Sequence, residues 1–144
     1  MADITEFPAV PSIVKGLSRY PIINCLVRLV GIGRVVWGSG MPMREFLYVD
    51  DAADALIFMM ENNVNEDIFN IGTGEEISIR KLAEIIMNII GFKGEIVFDA
   101  NKPDGAPRKL VSVERPKHLG WQATTKLEDG IRKAYQDFLK QHAD

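Results

Sequence analysis

The chain has 144 residues, 47% hydrophobic and 26% charged, with a net charge of −3 at pH 7. That is one soluble globular domain by size and composition, and the slight acidic excess excludes the basic footprint of a nucleic-acid-binding surface. The single cysteine, Cys25, excludes an internal disulfide framework and fits a reducing, cytoplasmic setting, while His118 and His142 stand too far apart to head a metal site.

Residues 1–10 read as a lead-in that is acidic rather than basic and broken by Pro8, so it lacks the pattern of a signal peptide. Pro11 suits the first turn of a helix over Ser12–Arg19, with Ile13, Val14 and Leu17 on one face and Pro21 as its stop. The apolar run Ile22–Ile32 is interrupted by Arg28 and too short to span a bilayer. Its length favours a buried helix, although periodicity leaves a strand open. A strand is expected at Arg34–Trp37, a turn through Gly38–Pro42, and a second strand at Met43–Val49 with Phe46 and Tyr48 on one face. Asp50 is the expected N-cap of a helix whose apolar stripe is Ala52, Ala55, Leu56, Met59 and Met60, ending at Asn62-Asn63.

Asp67–Ile71 reads as a third strand, closed by Gly72-Thr73-Gly74. Ser78 caps a helix that buries Ile79, Leu82, Ala83, Ile86 and Ile90 and stops at Gly91. A fourth strand at Glu95–Phe98 leads to a polar loop, Asp99–Lys109, and a short strand at Leu110–Val113. One helical turn at Glu114–Leu119 ends at Gly120, and the capping box Thr125–Glu128 starts a last helix that buries Leu127, Ile131, Ala134, Tyr135 and Phe138. Strands alternating with helices place the fold in the α/β class.

Gly72-Thr73-Gly74, between a strand and a helix, invites a dinucleotide-binding reading. The fingerprint needs a further small residue where Ile77 stands, and Glu75-Glu76 would repel a pyrophosphate, so a structural turn is the better reading. A Tyr-x-x-x-Lys pair is missing: Tyr20 is followed at that spacing by Asn24, Tyr48 by Ala52 and Tyr135 by Leu139. No Ser/His/Asp or Cys/His pairing has support either, so no catalytic, cofactor-binding or metal-ligating residue is assigned. A binding set is present instead. Trp37 offers a flat apolar face at a strand end, Arg44 a bidentate fork suited to phosphate, and the polar loop brings Asp104, Arg108 and Lys109 together. The carboxylate suits a sugar hydroxyl and the cations a diphosphate; the competing reading is an ordinary solvated loop.

The stretches VVWGSGMPMREFLYVDDAADA, FNIGTGEEISIRKLAEII and GFKGEIVFDANKPDGAPRKLVSV closely resemble the C-terminal half of the GDP-L-fucose synthases, extended short-chain dehydrogenase/reductases. The resemblance runs from Arg34 to Leu139, and the WGSGxPMREF and FDxxKPDGxPRK parts are its most specific elements. It implies a small C-terminal substrate-binding domain at 34–144, without the Rossmann nucleotide-binding domain, behind a divergent helical lead-in at 1–33. The family converts GDP-4-keto-6-deoxy-D-mannose to GDP-L-fucose by 3,5-epimerisation and NADPH-dependent 4-reduction. The resemblance therefore implies a GDP-sugar contact role for Trp37, Arg44, Asp104 and Lys109, with NADP held elsewhere in the full-length family and this chain inactive by itself. A region of another sugar-nucleotide epimerase or dehydratase, and a non-catalytic self-associating module using Ile22–Ile32, are the alternatives. The expected partners are a GDP-sugar and either a second copy or the missing N-terminal half, with no nucleic acid and no membrane.

Overall fold

The computed structural model describes residues 35–62, 64 and 68–141. The helices expected at Ser12–Arg19 and Ile22–Ile32, together with Cys25, Arg34, Asp67 and His142, lie outside the described residues.

Two small sheets carry the site. β1 (Val35–Trp37) pairs in parallel with β4 (Val97–Asp99), with Val35 opposite Val97 and Trp37 opposite Asp99. In the second sheet β2 (Met43–Arg44) lies between β3 (Ile77–Ser78), antiparallel to it, and β5 (Arg108–Lys109), parallel to it. The helices are α1 (Val49–Glu61), α2 (Ile79–Ile90), α3 (Glu114–Leu119) and α4 (Leu127–Gln141).

The core sits between α2 and α4. Apolar residues spaced three and four apart put Leu82, Ile85, Ile86, Ile89 and Ile90 on one side of α2, where they meet Leu127, Ile131, Tyr135 and Phe138 of α4. Ile86, Ile131 and Phe138 are buried, each stabilising the fold by about 1.5–3 kcal/mol relative to exposure. The ends of α2 are as expected. Ser78 Oγ accepts from the Lys81 N–H at 3.1 Å, and Gly91 adopts the left-handed conformation that stops the helix. Gly120 likewise ends α3. Trp121, directly after it, is buried and donates its indole N–H to Asp54 at 2.9 Å, fastening this corner to α1.

Several expectations are corrected. The second strand stops at Arg44, because the next residue, Glu45, gathers backbone N–H groups with its side chain instead of joining a ladder. The strand expected at Leu110–Val113 lies instead at Arg108–Lys109; the Val111 N–H goes to Glu45 Oε2 at 3.1 Å. Ile68–Ile71 forms no strand, and the Ile68 carbonyl accepts from Arg115. Asp50 is not the N-cap of α1. Tyr48 occupies that position, and Asp50 and Asp51 both fall in the first turn, where their charge complements the helix dipole. The apolar stripe of α1 is turned from the expected one: Asp51 and Ala55 are buried, whereas Leu56 and Met60 are exposed. Asp51 sets that rotation by reaching Thr124 and Thr125, whose hydroxyls and, for Thr125, backbone N–H donate to it. The Thr125 hydroxyl is thereby tied to α1, and α4 begins at Leu127.

Candidate functional site

The turn between β1 and β2 is fastened from three sides. The Gly38 N–H donates to the Asp99 carbonyl at 3.0 Å. Ser39 donates twice to Asp104, from its N–H to Oδ1 at 2.6 Å and from its hydroxyl to Oδ2 at 2.7 Å. From the start of α2, Arg80 gives its N–H to the Gly40 carbonyl at 2.8 Å and its Nη2 to the Ser39 carbonyl at 3.0 Å. The Arg80 guanidinium also lies 3.9 Å from the centroid of the Phe98 ring. Gly38 has a φ of 91° and any side chain there would run into Asp104, so this turn requires glycine.

This scaffold presents Trp37 with 71% of its surface exposed, at the end of β1. The Lys102 ammonium stands 5.3 Å from the centre of its ring. Lys102 is placed by a short turn, in which its N–H donates to the Asp99 carbonyl and the Asn101 N–H donates to Asp99 Oδ1, both at 3.0 Å. Two residues on, Asp104 is pinned to Ser39, and these hydrogen bonds, the hydroxyl first and the N–H second, hold its carboxyl below the usual range. The Met43 N–H donates to the Pro107 carbonyl at 2.9 Å, which sets the register of β2 and β5. Arg44 consequently stands opposite Lys109, and its Nη2 comes within 4.0 Å of where a side chain on Gly105 would begin. Nη1 donates to the Met43 carbonyl at 2.7 Å, so part of the fork is already oriented.

Of the five sequence-predicted residues, the structure therefore brings Trp37, Asp104, Arg44 and Lys109 around one loop. Arg108 differs. Alternation along β5 puts it on the face opposite to Lys109, and its Nε lies 2.7 Å from Glu76 Oε2. The hydrogen bond to Glu76 and then the charge of that carboxylate raise the Arg108 pKa further. Lys102 and Ser39 were not singled out from sequence. The NKPDG turn chemistry was the available signal, but which side chain lies over Trp37 follows only from the β1–β4 register.

Glu45 disposes of the dinucleotide reading. Its Oε1 accepts from the N–H groups of Thr73 and Gly74, both at 2.7 Å. Those are the groups a pyrophosphate would need, and a side chain at Gly72 would strike the same carboxylate. A cleft of about 640 Å³ opens beside this turn, lined by Thr73, Phe46, Ile77 and Leu127, with Glu75, Glu76, Glu128 and Asp129 outnumbering its one cation, Lys126. Carboxylates there disfavour a phosphate, so the anion-binding reading stays with the more open surface around Trp37 and Arg44. No group of metal-ligating side chains occurs among the described residues, and no described helix is long and apolar enough to cross a membrane.

A model of the NAD dependent epimerase/dehydratase family matches residues 16–72. The chain is 42% identical over 144 residues to a GDP-L-fucose synthase of Sinorhizobium fredii, covering 99% of this chain and 43% of that protein. It is 50% identical over 115 residues to the GDP-L-fucose synthase of Escherichia coli, covering 74% of this chain and 36% of the relative. A solved GDP-L-fucose synthetase from Naegleria fowleri bound to NADP superposes with a TM-score of 0.68 at 32% identity, over 81% of this chain and 37% of the other. The chain thus spans less than half the length of the relatives it matches.

Proposed function

The chain belongs to the NAD-dependent epimerase/dehydratase family, and from that premise we propose that residues 34–144 are the GDP-sugar-binding domain of a cytoplasmic GDP-L-fucose synthase. The observation that carries this reading is the exposed ring of Trp37 on one side of the Lys102–Gly105 loop, with the in-register pair Arg44 and Lys109 on the other. A ring face and a paired cationic patch suit a ligand with a flat base and a diphosphate. Asp104 shapes the loop through Ser39, and each carboxylate oxygen keeps a lone pair for a sugar hydroxyl. Arg108 adds positive field from the opposite face, where Glu76 holds it.

The reaction of the family needs groups that Val35–Gln141 do not supply. Neither Tyr48 nor Tyr135 has a lysine four residues on, and the only glycine-flanked N–H pair before a helix among the described residues is engaged by Glu45. NADP, which supplies hydride when bound in the full-length family, is therefore held outside the described residues. By itself this chain binds and does not turn over; its catalytic partner is the N-terminal half that the relatives carry. Competition binding tests the reading. GDP should displace a GDP-sugar better than UDP or dTDP does, and an absence of GDP-sugar binding refutes the assignment. Turnover of GDP-4-keto-6-deoxy-D-mannose with NADPH by the chain alone would refute its inactivity.

A second reading, self-association, is favoured by the apolar side of α1, where Leu56, Ile57 and Met60 are 54%, 55% and 79% exposed. Sedimentation showing a monomer at high concentration would remove it.

A further inference from the structure

We infer that Lys102 is a binding residue of this site and makes it select ligands that carry a phosphate together with a flat ring. The inference rests on the reading of Trp37 and Arg44 given above, and it assigns Lys102 a role of its own.

Three observations support it. Lys102 is not on a slack loop: its N–H closes a turn on the Asp99 carbonyl, Pro103 restricts the next φ, and Asp104 is held at both oxygens by Ser39. Its ammonium stands 5.3 Å from the Trp37 ring centre, within cation–π range. No ion pair involving Lys102 occurs among the described residues, whereas Arg108 on the neighbouring strand has Glu76. The ammonium is therefore free to change partners.

The consequence is a selection rule. A base that stacks on that face of Trp37 must move the ammonium aside. A nucleoside offers the displaced charge nothing in return, and so gives back roughly two- to fivefold in affinity, the strength of an exposed cation–π contact. A nucleotide offers the same ammonium a phosphate oxygen, a charge-assisted hydrogen bond whose loss costs about tenfold or more. Lys102 thus penalises a bare base and rewards a phosphorylated one, on top of the anion contacts of Arg44 and Lys109.

The test uses the full chain and its own fluorescence. The other tryptophan, Trp121, is buried and bonded to Asp54, so a ligand at the site alters the emission of Trp37. GDP and guanosine are titrated into the wild type, Lys102→Met, Lys102→Arg and, as a control for net charge, Lys140→Met. Lys102→Met should weaken GDP about tenfold while guanosine binds about two- to fivefold tighter, so that the ratio of the two affinities collapses. Lys102→Arg should keep the wild-type ratio, and so should Lys140→Met. A wild-type ratio in Lys102→Met, or an equal collapse in Lys140→Met, would overturn the role of Lys102 while leaving the GDP site standing. Absence of GDP binding by the wild type would instead sink the site reading, and this inference with it.

Discussion

Asp104 closes both carboxylate oxygens on a single residue, Ser39, whose hydroxyl in turn accepts from the Met41 N–H at 3.1 Å. The loop that carries Lys102 and Gly105 is thereby locked to the turn that follows Trp37. Ser39→Ala removes one donor to Asp104 and the acceptor of the Met41 N–H, while replacing no residue proposed to contact the ligand itself. GDP affinity should nevertheless fall, and amide exchange at residues 100–105 should accelerate, because Gly105 is no longer held beside Arg44. The clamp should also depend on pH, with a definite sign. Its hydrogen bonds hold the Asp104 carboxyl below its usual value, so the clamp is fully present above the ordinary carboxylate value near ~4 and is lost as pH falls through the lowered native one. Exchange at Ser39 followed from pH 7 to pH 3 should show protection lost only at the acid end.

Asp51 is a buried carboxylate joining α1 to the approach of α4. Burial pushes its carboxyl up, but the hydrogen bonds from Thr125 and Thr124 outweigh that and keep it below the usual range. Asp51→Ala should cost about 2–4 kcal/mol in urea unfolding at pH 7, since it strands the Thr125 N–H as well as losing charged hydrogen bonds. The wild type should lose the part of this stabilisation that depends on the ionised carboxylate as the pH falls below about 4 and through the lowered native value, since the unfolded chain takes up the proton first. A variant as stable as wild type at pH 7 would contradict this account.

How much of this was legible follows from how local each feature is. Ser78, Gly91 and the isoleucines of α2 are decided within one helix, and they stand where the sequence put them. The buried side of α1 is not local. It depends on Asp51 and Asp54 finding Thr125 and Trp121 far along the chain, so the amphipathic pattern placed Ala52, Ala55 and Met59 on the inner side but wrongly added Leu56 and Met60. β5 was misplaced by two residues because a charged Arg108–Lys109 pair carries no strand signal, and its pairing is imposed by the Pro107 carbonyl and Glu45. Trp37 and Arg44 could be chosen from side-chain chemistry. Lys102 could not, because its value comes from a turn on Asp99 that lies beside Trp37 only once β1 and β4 pair.

Glu45 does the work that a longer β2 was expected to do. Its two oxygens collect N–H groups from Thr73, Gly74 and Val111, joining the segments before β3 and after β5. Glu45→Gln preserves the shape but replaces one acceptor oxygen with a donor that faces other donors. Denaturant unfolding should report a loss of about 1–3 kcal/mol. If Glu45→Gln matched the wild type, the three-way junction would be incidental to stability.

The cations of the site should separate by face. Arg44 and Lys109 are in register across parallel strands, whereas Arg108 sits on the alternate face against Glu76. Arg44→Ala should weaken GDP binding by about 1.5–3 kcal/mol, as expected for a lost hydrogen bond to a charged group. Lys109→Ala should act in the same direction, and the double variant should lose less than the sum if both cations grip one diphosphate. Arg108→Ala should have the smallest effect of the three, and raising the salt should shrink it further, because it acts through field and not through contact. Calorimetric titration of the three single variants and the Arg44/Lys109 double variant decides the matter. An Arg108→Ala loss as large as that of Arg44→Ala would mean that the ligand reaches the other face of the sheet.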